Sequence, residues 1–361
     1  MVSSNSLRSN PICIVGTGAC TAVGLTAPAT AAAVRAGVDG FEEHPFMINQ
    51  EGDPYILAMV PSIDPATMGF ERYSALALPA VEEALLPLQQ LSPEKFAVDV
   101  TIGLPEQRPG LPDDLQRTLG GALKSLSSEH YAISDVRVAL RGHAAGLMAI
   151  ESASKQLIAG SSIFCLAGGL DSYIAPDTLD WIEGNEQLHT PNNAWGFIPG
   201  EASAFCLLCT METANRFGLP IKAKLLSIGT KQEENKIKTE TICIGKGLTA
   251  AVDSVVQALP QETKINQTYC DQNGEAYRAD EFGFMLTRLA ENFDNPSEYA
   301  APADCWGDVG AASGPLFINQ LCAAAEKGYS LGALSLLWTS SEGGDRSAAI
   351  FIAESDQERR A

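Results

Sequence analysis

Short apolar runs alternate with segments of helical periodicity from one end of the chain to the other, and this alternation limits the possible folds. Apolar runs of strand length occur at 11–15, 97–102, 136–140, 162–166, 202–208, 223–228, 265–270, 333–338 and 348–353. Segments of helical length occur at 28–36, 73–86, 112–126, 144–159, 248–259, 280–289 and 315–327. Strands separated by helices indicate a mainly parallel sheet between helical layers, because a parallel pair needs a long crossover connection.

The two halves of the chain carry a similar pattern. A gapless shift of 168 residues superimposes three identical pairs, Gly146 on Gly314, Ile150 on Ile318 and Gly160 on Gly328. In each copy a turn of small residues opens a helix, and a glycine ends that helix before a strand. We therefore expect two similar halves, 1–215 and 216–361. They should share one core, because no Gly/Ser-rich or Pro-rich linker separates them.

The chain is acidic, with a formal net charge of −20 and a pI near 4.5. Nucleic acids and anionic membrane surfaces are not expected partners, because binding them needs clustered Lys and Arg. No apolar run reaches the ~18 residues of a membrane span, and the run at 12–15 is too short for a signal peptide. The charged segment 231–238 is expected to be an exposed loop.

The chain has nine cysteines, an odd number, and several lie inside apolar runs. This pattern predicts free thiols in a reducing cytoplasm rather than a set of disulfides. Cys206 and Cys209 lie three apart in a predicted strand, where side chains alternate between faces, so two buried thiols are expected rather than a metal site.

The turn at 16–21 has Thr21 where a dinucleotide-binding motif needs glycine. No metal and no cofactor are predicted. The backbone should require six glycines, for positive φ or close packing: Gly16, Gly18, Gly168, Gly169, Gly196 and Gly200.

Four segments, taken in order, resemble the β-ketoacyl synthase family of the thiolase superfamily. They are 12–24 (ICIVGTGACTAVG), 143–169 (HAAGLMAIESASKQLIAGSSIFCLAGG), 196–204 (GFIPGEASA) and 340–349 (SSEGGDRSAA), and they span nearly the whole chain. The resemblance implies an α/β thiolase fold, with duplicated βαβαβαββ halves in five layers, α-β-α-β-α. It also implies a homodimer, or a heterodimer with a ketosynthase-like chain, with the strand near 162–166 at the interface.

A ketosynthase carries its acyl group on a cysteine at the N-terminus of a buried helix, where the helix dipole stabilises the thiolate. Two histidines then assist decarboxylation and the oxyanion. The resemblance places His143 at the cysteine position, Asn273 at the first histidine position and Gly307 or Asp308 at the second. All four histidines of this chain lie within residues 1–189, whereas both family histidines come from the second half. The family lysine is also missing at 302–303, and Glu342 stands where a phenylalanine is usual.

Each of these positions has a functional and a structural interpretation. His143 is a catalytic or ligand-facing imidazole or, as we favour, a buried residue hydrogen-bonded in a closed pocket. Asn273 is an oxyanion donor or, as we favour, a turn residue. The neighbouring polar residues form either an ion-paired loop or a solvated face: Asp271, Glu275, Arg278 and Asp280. Two cysteines could complete a Cys–His–Asn hydrolase site, although a cysteine at a strand end usually belongs to the core: Cys270 and Cys305.

Three functions follow from this reading of the sequence. The first is a ketosynthase-like protein that does not perform Claisen condensation and acts as a scaffold, as a partner of an active synthase or as a binder of an acyl or protein ligand. Chain-length factors, which keep the fold and lose the cysteine, are the family precedent. The second is an acyltransferase or thioester hydrolase that uses His143. The third is a purely structural assembly subunit. The net charge of −20 argues against docking of an acidic carrier protein.

Overall fold

The computed structural model describes residues 10–91, 95–237, 239 and 241–353. The strands are β1 (Ile12–Thr21), β2 (Phe41–Ile48), β3 (Pro54–Ala58), β4 (Phe96–Leu104), β5 (Tyr131–Leu140), β6 (Phe164–Ser172), β7 (Glu201–Thr210), β8 (Ala223–Gln232), β9 (Gln267–Cys270), β10 (Leu334–Ser340) and β11 (Asp345–Ile352). The helices are α1 (Ala27–Arg35), α2 (Gly69–Gln89), α3 (Leu115–Lys124), α4 (Ala145–Ile158), α5 (Pro176–Gly184), α6 (Met211–Phe217), α7 (Lys246–Val256), α8 (Ala276–Leu289), α9 (Ala303–Trp306) and α10 (Ser313–Lys327). Short 3₁₀ turns lie at Gly142–Ala144, Ala290–Asn292 and Gly310–Ala312.

The strands of both halves form one mixed sheet in the order β5-β4-β6-β7-β1-β8-β11-β10-β9. The halves meet where β1 pairs with β8 over three residues, Ile12–Ile14. The order in the first half is repeated in the second, read outward from this junction, which confirms the predicted duplicated α/β fold. The copies differ at the far edge. There the second half has only the single bridges Ile265–Phe293 and Tyr269–Ala300 where the first half has β5.

Helices α4 and α10 lie between the two parts of the sheet. Their apolar faces share one buried cluster with strands from both halves, including Leu147, Ile150, Ala204, Leu316, Ile318 and Ala349. A second cluster packs α2 and α3 on the outer face of the first half, and a third packs α7 and α8 on the outer face of the second. This arrangement gives the five predicted layers. Cys206 and Cys209 belong to opposite faces of β7, as strand alternation requires.

Close backbone contacts at glycines hold the central layers together. A Cβ atom on Gly146 would lie 2.4 Å from the carbonyl oxygen of Ala311, and one on Gly169 would lie 2.0 Å from the same atom. The turn at Gly310–Ala312 therefore sits directly against α4 and β6, at a distance that only glycine allows. None of the six glycines singled out in the sequence has positive φ, so close packing explains them and left-handed backbone does not.

Two expectations from the sequence are wrong. The segment 231–238 is not an exposed loop throughout, because residues 231–232 continue β8 and Glu233 is 1% exposed. The Glu233 carboxylate accepts a hydrogen bond from the backbone N–H of Gly247, which fixes the start of α7. Lys238 lies outside the described residues. The strand near 162–166 cannot form a dimer edge, because β6 pairs with β4 and β7 on its two sides. The open edge of this half is β5.

Sequence patterns also missed several elements, namely β2, β3, α5, α6 and α9. The hairpin β2–β3 and helix α5 cover one end of the central layers with a small apolar core that includes Leu57, Tyr173, Leu179 and Phe197. Short strands and a nine-residue helix between long loops give weak periodic signals. Among the described residues, no helix combines the length and apolar character that crossing a membrane would require.

Candidate functional site

The turn that carries His143 lies where β5 leads into α4. Gly142 adopts φ +63° there, a left-handed conformation that glycine tolerates, and His143 follows at the N-terminal end of the buried helix. The backbone N–H of Ala144 donates a hydrogen bond of 2.8 Å to Ser341 Oγ, in the turn after β10. Only 5% of His143 is exposed. The fold therefore holds this imidazole in a fixed, buried position.

The three positions predicted from the sequence converge in space. His143 Nε2 lies 2.9 Å from both carboxylate oxygens of Asp308, and Asn273 Nδ2 donates to Asp308 Oδ2 at 2.6 Å. The backbone N–H of Gly310 donates to Asp308 Oδ1 at 2.8 Å. Asp308, rather than Gly307, supplies the side chain that reaches His143. Gly307 is a backbone turn with φ +71°.

A buried arginine joins this group from the second half. Arg278 is fully buried, and its guanidinium pairs with Asp271 at 3.0 Å and with Glu275 at 3.2 Å. Its Nη2 also lies 3.2 Å from His143 Nε2. The polar cluster is therefore an ion-paired network for three of its members, whereas Asp280 is exposed on α8. The four residues are therefore neither all part of an ion-paired loop nor all part of a solvated face.

Opposite charges decide the ionisation of the buried pair. Burial lowers the pKa of His143, but the adjacent Asp308 carboxylate outweighs burial, so the net direction is upward. Burial also disfavours the Asp308 carboxylate, yet His143 and Arg278 hold its pKa well below the usual range. The geometry and the charges agree on an ionised Asp308 carboxylate that accepts a hydrogen bond from the N–H of His143 Nε2. Nε2 is then occupied as a donor and is not available as a nucleophile.

The cleft outside His143 is small and polar. It has a volume of about 80 Å³, far below the ~300–1,000 Å³ of ordinary small-molecule sites. Arg108 crosses it, bound to Asp171 at 2.5 Å and stacked 4.1 Å above the ring of Tyr173. Two carboxylates also line it, and both are held by neighbours. Glu106 accepts from the N–H of Gly343 at 3.0 Å, and Glu342 accepts from Gln187 at 2.5 Å.

The two cysteines considered for a hydrolase are core residues. Cys270 is fully buried, its Sγ lies 3.7 Å from the carbonyl oxygen of Ala300, and burial raises its pKa far above the usual range. Burial also raises the pKa of Cys305. Asn273 is engaged by Asp308 and by Glu275, the latter at 3.0 Å. These contacts favour protonated, structural thiols.

One group of side chains has residue types that bind metals. Oxygen and sulfur atoms of Glu233, Cys243 and Glu281 lie within 4.8 Å of one another. The carboxylates already have strong partners, because Glu281 is paired with Arg346 at 2.6 Å and Glu233 accepts from the N–H of Gly247 at 2.6 Å. The cluster fixes α7 and α8 against the end of β11.

Several residues of the site were not found from the sequence. Arg108, Asp171, Gln187 and Ser341 lie in loops or at strand ends, where no periodic pattern singles out a side chain. The position of Asp171 gave one usable signal, because it closely follows the Gly168–Gly169 pair at the end of a predicted strand. Side chains at the carboxyl ends of parallel strands commonly line sites.

Solved structures of polyketide ketosynthases have the same fold as this chain. A type II polyketide acyl-carrier protein in complex with its ketosynthase gives a TM-score of 0.76 at 16% identity, over 95% of this chain and 99% of that one. The ishigamide ketosynthase/chain length factor gives a TM-score of 0.69 at 19% identity, over 95% of this chain and 99% of that one. Ketosynthase twelve of the bacillaene polyketide synthase from Bacillus amyloliquefaciens gives a TM-score of 0.69 at 15% identity, over 96% of this chain and 73% of that one. No protein-family model and no curated protein matches the chain.

The chain therefore has the fold of the compared ketosynthases. Identities of 13–19% establish the architecture and leave the chemistry to the residues themselves.

Proposed function

We propose that this chain is a ketosynthase-like protein that does not carry out Claisen condensation and serves as a partner subunit of a polyketide-type or fatty-acid-type synthase. One observation carries the proposal. His143 occupies the helix N-terminus where the family has its cysteine, and its Nε2 is bound by the Asp308 carboxylate at 2.9 Å. Asn273 completes the network, so all three family positions are used to bind one another.

The charges around His143 argue against a malonyl substrate. In the family, two histidines assist the decarboxylation of the malonyl group. Here the second of these positions holds the Asp308 carboxylate, and Glu106 and Glu342 line the adjacent cleft, where Arg108 is already paired with Asp171. Like charges in a site of low dielectric repel a second carboxylate strongly. The cleft of about 80 Å³ also leaves little room for an acyl chain.

The partner role is supported by the sheet edge and by the compared proteins. Strand β5 has β4 on one side and no strand of the described residues on the other. Val136 and Val138 are half-buried on this strand and Leu140 is 39% exposed, so the unpaired edge carries apolar side chains that alternate with polar ones such as Arg137, and a partner strand can cover it. One compared structure is a ketosynthase/chain length factor. We propose pairing through β5, with an intact ketosynthase or with a second copy.

The cysteines support a reducing compartment for this assembly. No disulfide joins the nine cysteines, all of which lie in described residues. Free thiols in this number are typical of cytoplasmic proteins. We therefore place the protein in the cytoplasm.

Intact-mass spectrometry after incubation with acetyl and malonyl thioesters of pantetheine, whose acyl groups are short enough for the small cleft, tests the proposal. Four proteins are compared: the natural chain, His143→Ala, His143→Cys and the triple variant His143→Cys, Asn273→His, Asp308→His. We expect no adduct on the first two, an acyl adduct on His143→Cys, and decarboxylation of malonyl thioester by the triple variant alone. Condensation by the natural chain would refute the proposal.

A different outcome would favour an acyltransferase or hydrolase. His143 and Asp308 form a carboxylate-supported imidazole beside a cleft, which is the arrangement of a general base. Thioester hydrolysis by the natural chain that disappears in His143→Ala would establish that activity. Absence of acylation in all four proteins, with partner binding through β5 intact, would favour the purely structural assembly subunit.

A further inference from the structure

A second cavity, separate from the His143 cleft, lies between α1 and α10. Its volume is about 540 Å³, within the range of small-molecule sites. Its buried floor includes Asn319 and Cys322 of α10, and Thr17 of β1 and Tyr329 also line it. Asn319 is fixed there by donating to the carbonyl oxygen of Gly18 at 3.1 Å. The floor is therefore built into the core of the fold.

Small side chains create this space. Helix α1 and its C-cap residue contribute four alanines to one wall, and α10 contributes one alanine to the other: Ala27, Ala31, Ala32, Ala36 and Ala323. Residues four apart lie on one face of a helix, so the alanines form a continuous apolar lining. The cavity is open to solvent on one side, because Pro28, Ala32 and Arg35 of α1 are exposed. An apolar ligand body fits these walls.

The rim of the cavity is positively charged. Arg35, Lys222 and Lys327 line it with a single carboxylate, Glu326, in a chain whose net charge is −20. Lys222 lies 3.5 Å from Glu326 and Lys327 lies 3.2 Å from it, so one carboxylate is shared by two ammonium groups. Arg35 stacks 4.2 Å above the ring of Tyr329, and stacking leaves the edge of the guanidinium able to donate.

We propose that this cavity binds an amphipathic organic anion, an alkyl or aryl carboxylate whose apolar body lies on the alanine walls and whose head group meets the cationic rim. Apolar walls give affinity, and a few placed charges give orientation and selectivity. A neutral or cationic compound with the same tail lacks the attraction to Arg35, Lys222 and Lys327. The site is independent of the function proposed for His143.

Isothermal titration with decanoate tests the site, with decanol and decyltrimethylammonium as tail-matched probes. Ala32→Trp fills the cavity from an exposed position on α1, and Arg35→Gln removes one charge. The matched controls are Ala279→Trp on the exposed face of α8 and Arg117→Gln, whose side chain is 84% exposed on α3. Circular dichroism and urea unfolding verify that each variant folds.

We expect one decanoate per chain, bound with equal affinity by the natural protein and both controls. Filling the cavity should weaken binding more than about tenfold, and removing the rim charge should weaken it roughly two- to fivefold, as for an exposed ion pair. Equal decanoate affinity in Ala32→Trp would overturn the proposal, as would equal affinity for decyltrimethylammonium. Self-association abolished by Ala32→Trp, with no decanoate bound, would instead make this face a contact between copies.

Discussion

Replacing Asp308 by asparagine tests the buried network in the most direct way. The two carboxylate oxygens of Asp308 accept from two fixed donors, Gly310 N–H at 2.8 Å and Asn273 Nδ2 at 2.6 Å. An asparagine has one carbonyl oxygen, so its NH₂ group must face one of these donors and leave an unsatisfied contact. The substitution also removes the counter-charge of His143. Leaving one partner of a buried ion pair uncompensated costs about 3–5 kcal/mol of unfolding free energy.

The pH dependence of this loss has a defined sign. The pKa of His143 in the folded protein lies above the ordinary value of 6.5, so its contribution is complete below pH 6.5 and is lost as the pH rises through the folded value. The pKa of Asp308 lies below the ordinary 3.8, so its contribution is present above pH 3.8 and is lost as the pH falls through the folded value. The unfolding free energy of the natural protein should therefore exceed that of Asp308→Asn by the largest amount between pH 3.8 and pH 6.5.

Urea unfolding at pH 5.5 and pH 8.5, followed by tryptophan fluorescence, measures both effects. Asp114→Asn is the control, because Asp114 pairs with Arg117 on the surface at 3.1 Å with side chains 50% and 84% exposed. We expect that control to change the unfolding free energy by less than about 1 kcal/mol at either pH. A loss below about 1 kcal/mol for Asp308→Asn at pH 5.5, or a larger loss at pH 8.5 than at pH 5.5, would refute the reasoning.

Two further predictions concern packing and thiol accessibility. Gly146→Ala should destabilise the protein by about 1–3 kcal/mol, because the new methyl group would lie 2.4 Å from the Ala311 carbonyl oxygen. Gly283→Ala on exposed α8, where a Cβ meets nothing within 4 Å, should stabilise it by about 0.5–1 kcal/mol, and a loss there comparable to that of Gly146→Ala would contradict the packing explanation. Iodoacetamide at pH 8 should alkylate Cys243 before any other cysteine, because Cys243 is half-buried and the other eight are buried. Peptide mass spectrometry gives the order, and earlier labelling of Cys305 would contradict the described burial.

The layers of the fold were predictable because their signals are periodic. Helix α4 shows apolar residues at helical spacing and ends at Gly160, and α10 repeats the pattern before Gly328. The hairpin β2–β3 escaped prediction because its outer residues include Phe46 and Ile48, both about 60% exposed, which blurs the alternation of a half-buried strand. The predicted dimer strand was wrong for a related reason. Apolarity marks a central strand such as β6, whereas an edge strand such as β5 carries polar residues.

The site was predictable only in part. The absence of histidine from the second half was evident from the sequence, and the resemblance singled out 143, 273 and 307–308. The contacts among these residues could not be predicted, because Arg278 and Asp271 are far from His143 along the chain and no spacing rule joins them. A charged segment such as 231–238 also shows the limit of composition. Charge predicted exposure, but a helix N-terminus nearby satisfied Glu233 in the interior.

Backbone packing explains why the site keeps its geometry whichever side chains stand at positions 143 and 308. The turn at Gly310–Ala312 is pressed between α4 and β6 by contacts that depend on Gly146 and Gly169, and not on the side chain at position 143 or 308. Asp308 precedes this turn, and Gly310 N–H binds its carboxylate directly. The same backbone would hold a histidine, an aspartate or an asparagine at a similar place. The side chains at these positions can therefore differ while the fold stays intact, and the triple variant described above tests this.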